Sequence, residues 1–74
     1  MARVSKLQER EQGRTSVHQD VDATYHVFEI AGEIYLQIDT YGSPERAFPA
    51  KVSQSLQFGP EGIDALRKIL SKLP

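Results

Sequence analysis

With 74 residues, nine lysines and arginines against ten aspartates and glutamates, and no cysteine, the chain has room for one small domain. A chain of this size buries only about 60% of the surface its unfolded form exposes, so a deep substrate cavity, and with it catalysis, is not expected; the absence of thiols excludes disulfides, thiolate zinc sites and thiol redox chemistry. At 39% apolar residues the composition is that of a folding chain, and with no long apolar run and no apolar leader a soluble, cytoplasmic protein is expected.

Charge is distributed unevenly. Residues 1–16 carry Arg3, Lys6, Arg10 and Arg14 against Glu9 and Glu11. Residues 17–50 carry six carboxylates against Arg46 alone, and residues 51–74 carry Lys51, Arg67, Lys68 and Lys72 against Glu61 and Asp64. This is not the broad basic field that grips duplex phosphate without regard to sequence, so any nucleic-acid contact has to be local.

Residues 1–16 hold only Val4 and Leu7 as sizeable apolar side chains, too few to offset the entropy of ordering, and read as a mobile basic arm ahead of one domain over 17–74. A weak alternation over 15–22 suggests an edge strand. From Thr24 the pattern sharpens. Runs over 25–29 and 33–41, rich in aromatic and β-branched residues, flank Ala31-Gly32 and predict a β-hairpin. In the second run Ile34, Leu36 and Ile38 are even-numbered, so even positions are assigned to the core. Matching Phe28 to Ile34 then requires a three-residue loop of Ile30, Ala31 and Gly32 with a bulge at Gly32. A two-residue loop would set Phe28 against Tyr35 and join one strand's core face to the other's polar face.

Residues 42–51 contain Gly42, Pro44 and Pro49 and form a loop. Alternation returns over 52–58, with Val52, Leu56 and Phe58 on the core parity. Gly59-Pro60 ends that strand and opens a helix to about Leu73, proline suiting the first helical position. Its apolar residues Ile63, Leu66, Ile69, Leu70 and Leu73 recur at three- and four-residue spacing. The expected fold is α+β: a twisted antiparallel sheet of three to four strands packed by one C-terminal amphipathic helix.

With the helix over the even face, the odd face carries Tyr25, Val27, Tyr35, Gln37, Asp39, Tyr41, Ser53, Ser55 and Gln57. Aromatic rings among amides and hydroxyls make a platform on which unpaired bases stack, and Arg46, Lys51 and the basic arm are placed to reach phosphates. Tyrosines on a half-solvated sheet also serve ordinary cross-strand packing. A modest apolar patch on so small a domain points in addition to a homodimer. His18, Asp20 and Asp22 lack a recognised metal-ligand spacing, and neither histidine falls near Asp39 to act as a base, so no metal, cofactor or catalytic group is assigned.

The order of elements over residues 25–70 resembles the single-stranded-DNA-binding domain of the transcriptional coactivator family called positive cofactor four, which includes small bacterial relatives. The resemblance runs through the Gly32-Glu33 turn, Tyr35-Leu36-Gln37-Ile38-Asp39, Phe48-Pro49-Ala50-Lys51, Val52-Ser53-Gln54-Ser55-Leu56 and the helix from Pro60 to Leu70. Where the family loop tends to read Gly-Lys-Gly, this chain has Ala50-Lys51-Val52. The resemblance implies a helix-backed sheet, a homodimer formed largely through the helices, and binding of unpaired nucleic acid by the sheet and its loops. The residues expected to contact nucleic acid are Tyr35, Gln37, Tyr41, Arg46, Lys51, Ser53 and Ser55. The alternative is a protein-interaction or regulatory adaptor with no nucleic-acid ligand; neither membrane nor small-molecule substrate is expected.

Overall fold

The computed structural model of the chain describes residues 1–42 and 51–74. Four strands, β1 (Ala2–Val4), β2 (Ala23–Ile30), β3 (Glu33–Tyr41) and β4 (Val52–Phe58), precede one helix, α1 (Pro60–Ser71). They form an open mixed sheet in the order β1-β4-β3-β2, backed by the helix against β3 and β4, an α+β architecture. β2, β3 and β4 make the expected antiparallel ladder.

Two expectations for the N-terminal region are corrected. The stretch over 15–22 is not a strand, and Ala2–Val4, read as part of a mobile arm, adds to the sheet in parallel with β4 through Ala2↔Leu56, Arg3↔Gln57 and Val4↔Phe58. Three residues of unremarkable composition carry no period, so such an edge strand is recognisable only beside its partner.

The hairpin register is also corrected. Ile30 pairs with Glu33 and Phe28 with Tyr35, leaving the two-residue loop Ala31-Gly32. Both loop residues have positive φ, 53° and 81°, as a type I′ turn demands, and its twist matches that of the flanking strands. The parity objection fails because β2 is an edge strand whose apolar residues lie on both faces. Residues directly opposite one another share a face. Tyr25 and Val27 therefore join Ile38 and Leu36 on one face, while His26 and Phe28 join Gln37 and Tyr35 on the other.

β4 carries a second irregularity. Thr40 pairs with Gln54 but Tyr41 with Val52, so Ser53 is the extra residue of a β-bulge. The bulge turns Val52 onto the face of Tyr41, against its expected core position.

The helix starts where predicted. Pro60 stands in the first turn, and the Ile63 amide donates to the Gly59 carbonyl at 2.9 Å. Glu61 lies in the first turn and Lys68 in the last, complementing the dipole. Gly62 lies against the Cβ and ring of Phe58, which places α1 on the face shared by Phe58, Leu36 and Val27. Phe58, 6% exposed, is the one buried apolar side chain among the described residues. Tyr25, Val27, Ile34, Leu56, Leu70 and Leu73 remain exposed, Tyr25 at 74%. No described helix is long and apolar enough to cross a membrane.

Candidate functional site

The face opposite the helix is built on β3, whose residues Tyr35, Gln37, Asp39 and Tyr41 point the same way by the two-residue period of a strand. Cross-strand register adds Gln57 beside Gln37, Ser55 beside Asp39, His26 beside Gln37 and Phe28 beside Tyr35. Arg3 enters at the edge beside Gln57.

Three rings form a continuous stack at one end of this face. His26 and Phe28 have centroids 5.3 Å apart with planes 29° from parallel; Phe28 and Tyr35 are 5.4 Å apart at 12°. The Tyr35 ring also covers Gly59, its edge 3.5 Å from the point where a Cβ would stand, and its hydroxyl donates to Glu33 at 3.2 Å. A Cβ at position 59 would stand in ordinary van der Waals contact with the ring, which lies over the end of β4. Tyr41 stands six residues further along β3, about 20 Å at roughly 3.3 Å per residue. Its hydroxyl is hydrogen-bonded to the Thr24 hydroxyl at 3.0 Å.

Between these aromatic ends runs a directed chain of hydrogen bonds. Gln57 Nε2 donates to Gln37 Oε1 at 2.8 Å, Gln37 Nε2 donates to Asp39 Oδ1 at 2.9 Å, and Ser55 Oγ donates to the same oxygen at 2.5 Å. Two donors on one oxygen stabilise the ionised form. The Ser55 and Gln37 hydrogen bonds, aided by the nearby His26, hold the Asp39 carboxyl below its ordinary range, partly opposed by desolvation. With Met1, Ala2, Arg3 and Val52, these polar residues line an open concavity of about 460 Å³.

Of the residues expected at the site, Tyr35, Gln37, Tyr41 and Ser55 are brought onto this face. Ser53 sits at the bulge with no cross-strand partner, Lys51 is exposed just ahead of β4, and Arg46 lies outside the described residues. Tyr25 and Val27, assigned to this face from parity, lie on the helix side instead. His26 and Phe28, on the core parity by sequence, lie on this face for the same reason: the turn is one residue shorter than expected. His26, expected far from Asp39, acts on it electrostatically. Ser55, however, gives its hydrogen to the carboxylate, which is not the nucleophile–base–orienter sequence of a hydrolytic triad. Among the described residues no three histidine, aspartate or glutamate side chains come together as metal ligands.

Comparison with family models, with curated proteins and with solved structures gives no match.

Proposed function

We propose that the protein is a homodimeric module that binds single-stranded nucleic acid on the sheet face opposite the helix. The observation that carries this reading is the His26–Phe28–Tyr35 ring stack, continued by the polar row Gln57–Gln37–Asp39–Ser55. Stacking partners beside hydrogen-bonding edges are what an unpaired base requires, whereas a duplex hides both. Arg3 and Lys51 flank the row and supply phosphate contacts, joined by the basic residues of 5–16.

The dimer rests on surface. The chain exposes 6704 Å², where a compact monomer of 8.3 kDa would expose about 4,600 Å². Residues 5–22 are exposed throughout, and apolar side chains of β2, β3 and α1 are left uncovered. A standard interface removes about 800 Å² per partner, which lies within this excess. A second copy on the apolar face of β2, β3 and α1 leaves the polar face open to a ligand.

The testing experiment is an anisotropy titration with labelled single-stranded and duplex oligonucleotides at low and physiological salt. The expected result is preference for the single strand with an affinity that falls steeply as salt rises, because phosphate contacts release counterions. Absence of binding at low salt would refute this function and favour the protein-interaction adaptor. For that partner, the exposed edge of β2 and its apolar residues would be the docking strand.

A further inference from the structure

The two edges of the sheet are unlike. One is β1, three residues long; the other is β2, eight residues long and paired on one side only. Ile30 and Glu33 flank the two-residue turn and so form a hydrogen-bonded pair, and along an antiparallel ladder such pairs alternate with non-hydrogen-bonded ones. Even-numbered residues of β2 therefore turn their backbone groups toward β3, in step with the 3.0 Å bond from the Tyr41 amide to the Asp22 carbonyl. The odd-numbered Ala23, Tyr25, Val27 and Glu29 turn theirs away from the sheet. Edge strands are ordinarily blunted by shortness, lysine, proline or a bulge. β1 is short, whereas β2 has none of these devices and leaves Tyr25, Val27 and Ile30 at 74%, 58% and 60% exposure.

We propose that β2 pairs antiparallel with β2 of a second copy about a two-fold axis at His26, joining the ring stacks of the two subunits into one binding surface. This rests on the homodimeric single-strand-binding reading and names the contact within it. The register selects the occupant. Residues whose backbone groups point outward must oppose one another across the new ladder. An axis at His26 sets Ala23 against Glu29 and Tyr25 against Val27 in both directions, so every outward-pointing residue of each strand is paired. An axis at any other residue leaves at least one of them opposite a position outside β2. The strand is thus complementary to itself, as an isologous interface requires. On the helix side Tyr25 packs on the partner's Val27, apolar against apolar, and both helices stand on the same side of one continuous sheet. On the polar face the Tyr35–Phe28–His26 stack ends at His26, which meets the partner's His26 at the axis. The two stacks then cross the dimer as a single row of rings for unpaired bases.

The test uses amide exchange on the parent and a cysteine at the axis. The Tyr25, Val27 and Glu29 amides, which point to solvent in a single chain, are expected to exchange at least about tenfold more slowly than open amides. Position 26 falls at a non-hydrogen-bonded pair of the new ladder, where Cα atoms stand about 4.5 Å apart, within disulfide range. The chain has no cysteine of its own, so His26→Cys is expected to give a disulfide-linked dimer on mild oxidation. Ile30→Cys, whose two copies would lie about 26 Å apart at roughly 3.3 Å per residue, is expected to stay unlinked. A labelled oligo-dT of about 12 nucleotides is expected to saturate the parent at one strand per two chains. The exchange pattern needs no substitution and decides the matter if His26→Cys fails to fold by circular dichroism. Fast exchange at the three amides, or a folded His26→Cys that links no faster than Ile30→Cys, overturns the edge pairing and leaves single-strand binding standing. Saturation at one strand per chain overturns the joined surface alone. Edge pairing without oligonucleotide binding overturns the single-strand-binding reading and the joined surface with it.

Discussion

The Val4 carbonyl oxygen occupies the space a side chain at Gly62 would need: a Cβ built on Gly62 would stand 2.7 Å from it and 3.3 Å from the Cβ and ring of Phe58. The helix therefore approaches β1 and β4 closely only because position 62 carries no side chain. Alanine is the better helix former by about 1 kcal/mol, but overpacking of this kind costs about 1–3 kcal/mol. Gly62→Ala is expected to destabilise the chain in denaturant titrations and to increase amide exchange in Ala2–Val4. The loss should be smaller in a chain lacking residues 1–4; an equal loss would mean that β1 does not constrain the helix.

Ala31 has φ 53°, a left-handed conformation that a Cβ disfavours by roughly 1–2 kcal/mol. Asparagine tolerates it, and Asn-Gly is the preferred type I′ pair. Ala31→Asn is expected to raise stability by about 0.5–1 kcal/mol, and Ala31→Val to lower it by at least as much. A three-residue bulged loop, with residue 31 outside the left-handed region, would leave Ala31→Asn without this gain, so thermal melts of the two variants report the register directly.

On the polar face, Tyr35→Ala removes a ring from the stack and is expected to weaken single-strand binding by about 1–3 kcal/mol, with Phe28→Ala acting in the same sense. Tyr41→Ala tests the far end of the row, and its effect should add to that of Tyr35→Ala because the two positions are too far apart to share a base. Unchanged affinity in all three variants would remove the stacking role.

Asp39 also links stability to pH. Its folded pKa lies below its ordinary value of 3.8, so the folded state favours the ionised form. The contribution is fully present above that ordinary value and is lost as pH falls through the folded pKa. In acid-denaturation series the stability difference between the parent and Asp39→Asn should hold constant at neutral pH and narrow below about pH 4. A difference that widened on acidification would contradict the Ser55 and Gln37 hydrogen bonds as its cause.

The apolar face gives a prediction about mass. Light scattering is expected to return twice 8.3 kDa for the parent and the single-chain mass for Val27→Lys, because a charge buried in a dimer interface would be unpaired. Val27 is 58% exposed in the single chain, so the substitution leaves the subunit itself folded. A parent that scatters as a monomer would remove the dimer.

The expected locations of β3, β4 and α1 were legible because each depends on a local period: two residues along β3 and β4, three to four along the helix. Half-buried elements write that period into their own residues. β2 does not, since Tyr25 and Val27 face one side while His26 and Phe28 face the other, and an edge strand bearing apolar groups on both sides offers no polar face by which to choose a register. The site was legible to the same extent. Tyr35, Gln37, Tyr41 and Ser55 follow from alternation on β3 and β4, whereas His26 and Phe28 entered only once the turn length was known.

By itself, then, the sequence determined the locations of the hairpin strands, β4 and the helix with its start at Pro60, and the polar row along β3, all set by interactions between residues close in the chain. Only the tertiary structure decided that Ala31 and Gly32 both take positive φ, that Ser53 bulges and turns Val52 over, and that Ala2–Val4 pairs with β4 across more than fifty residues. Each of these changes which face a side chain occupies or which strand it meets, and that is settled by pairing between segments distant in the chain rather than by the preferences of any one of them.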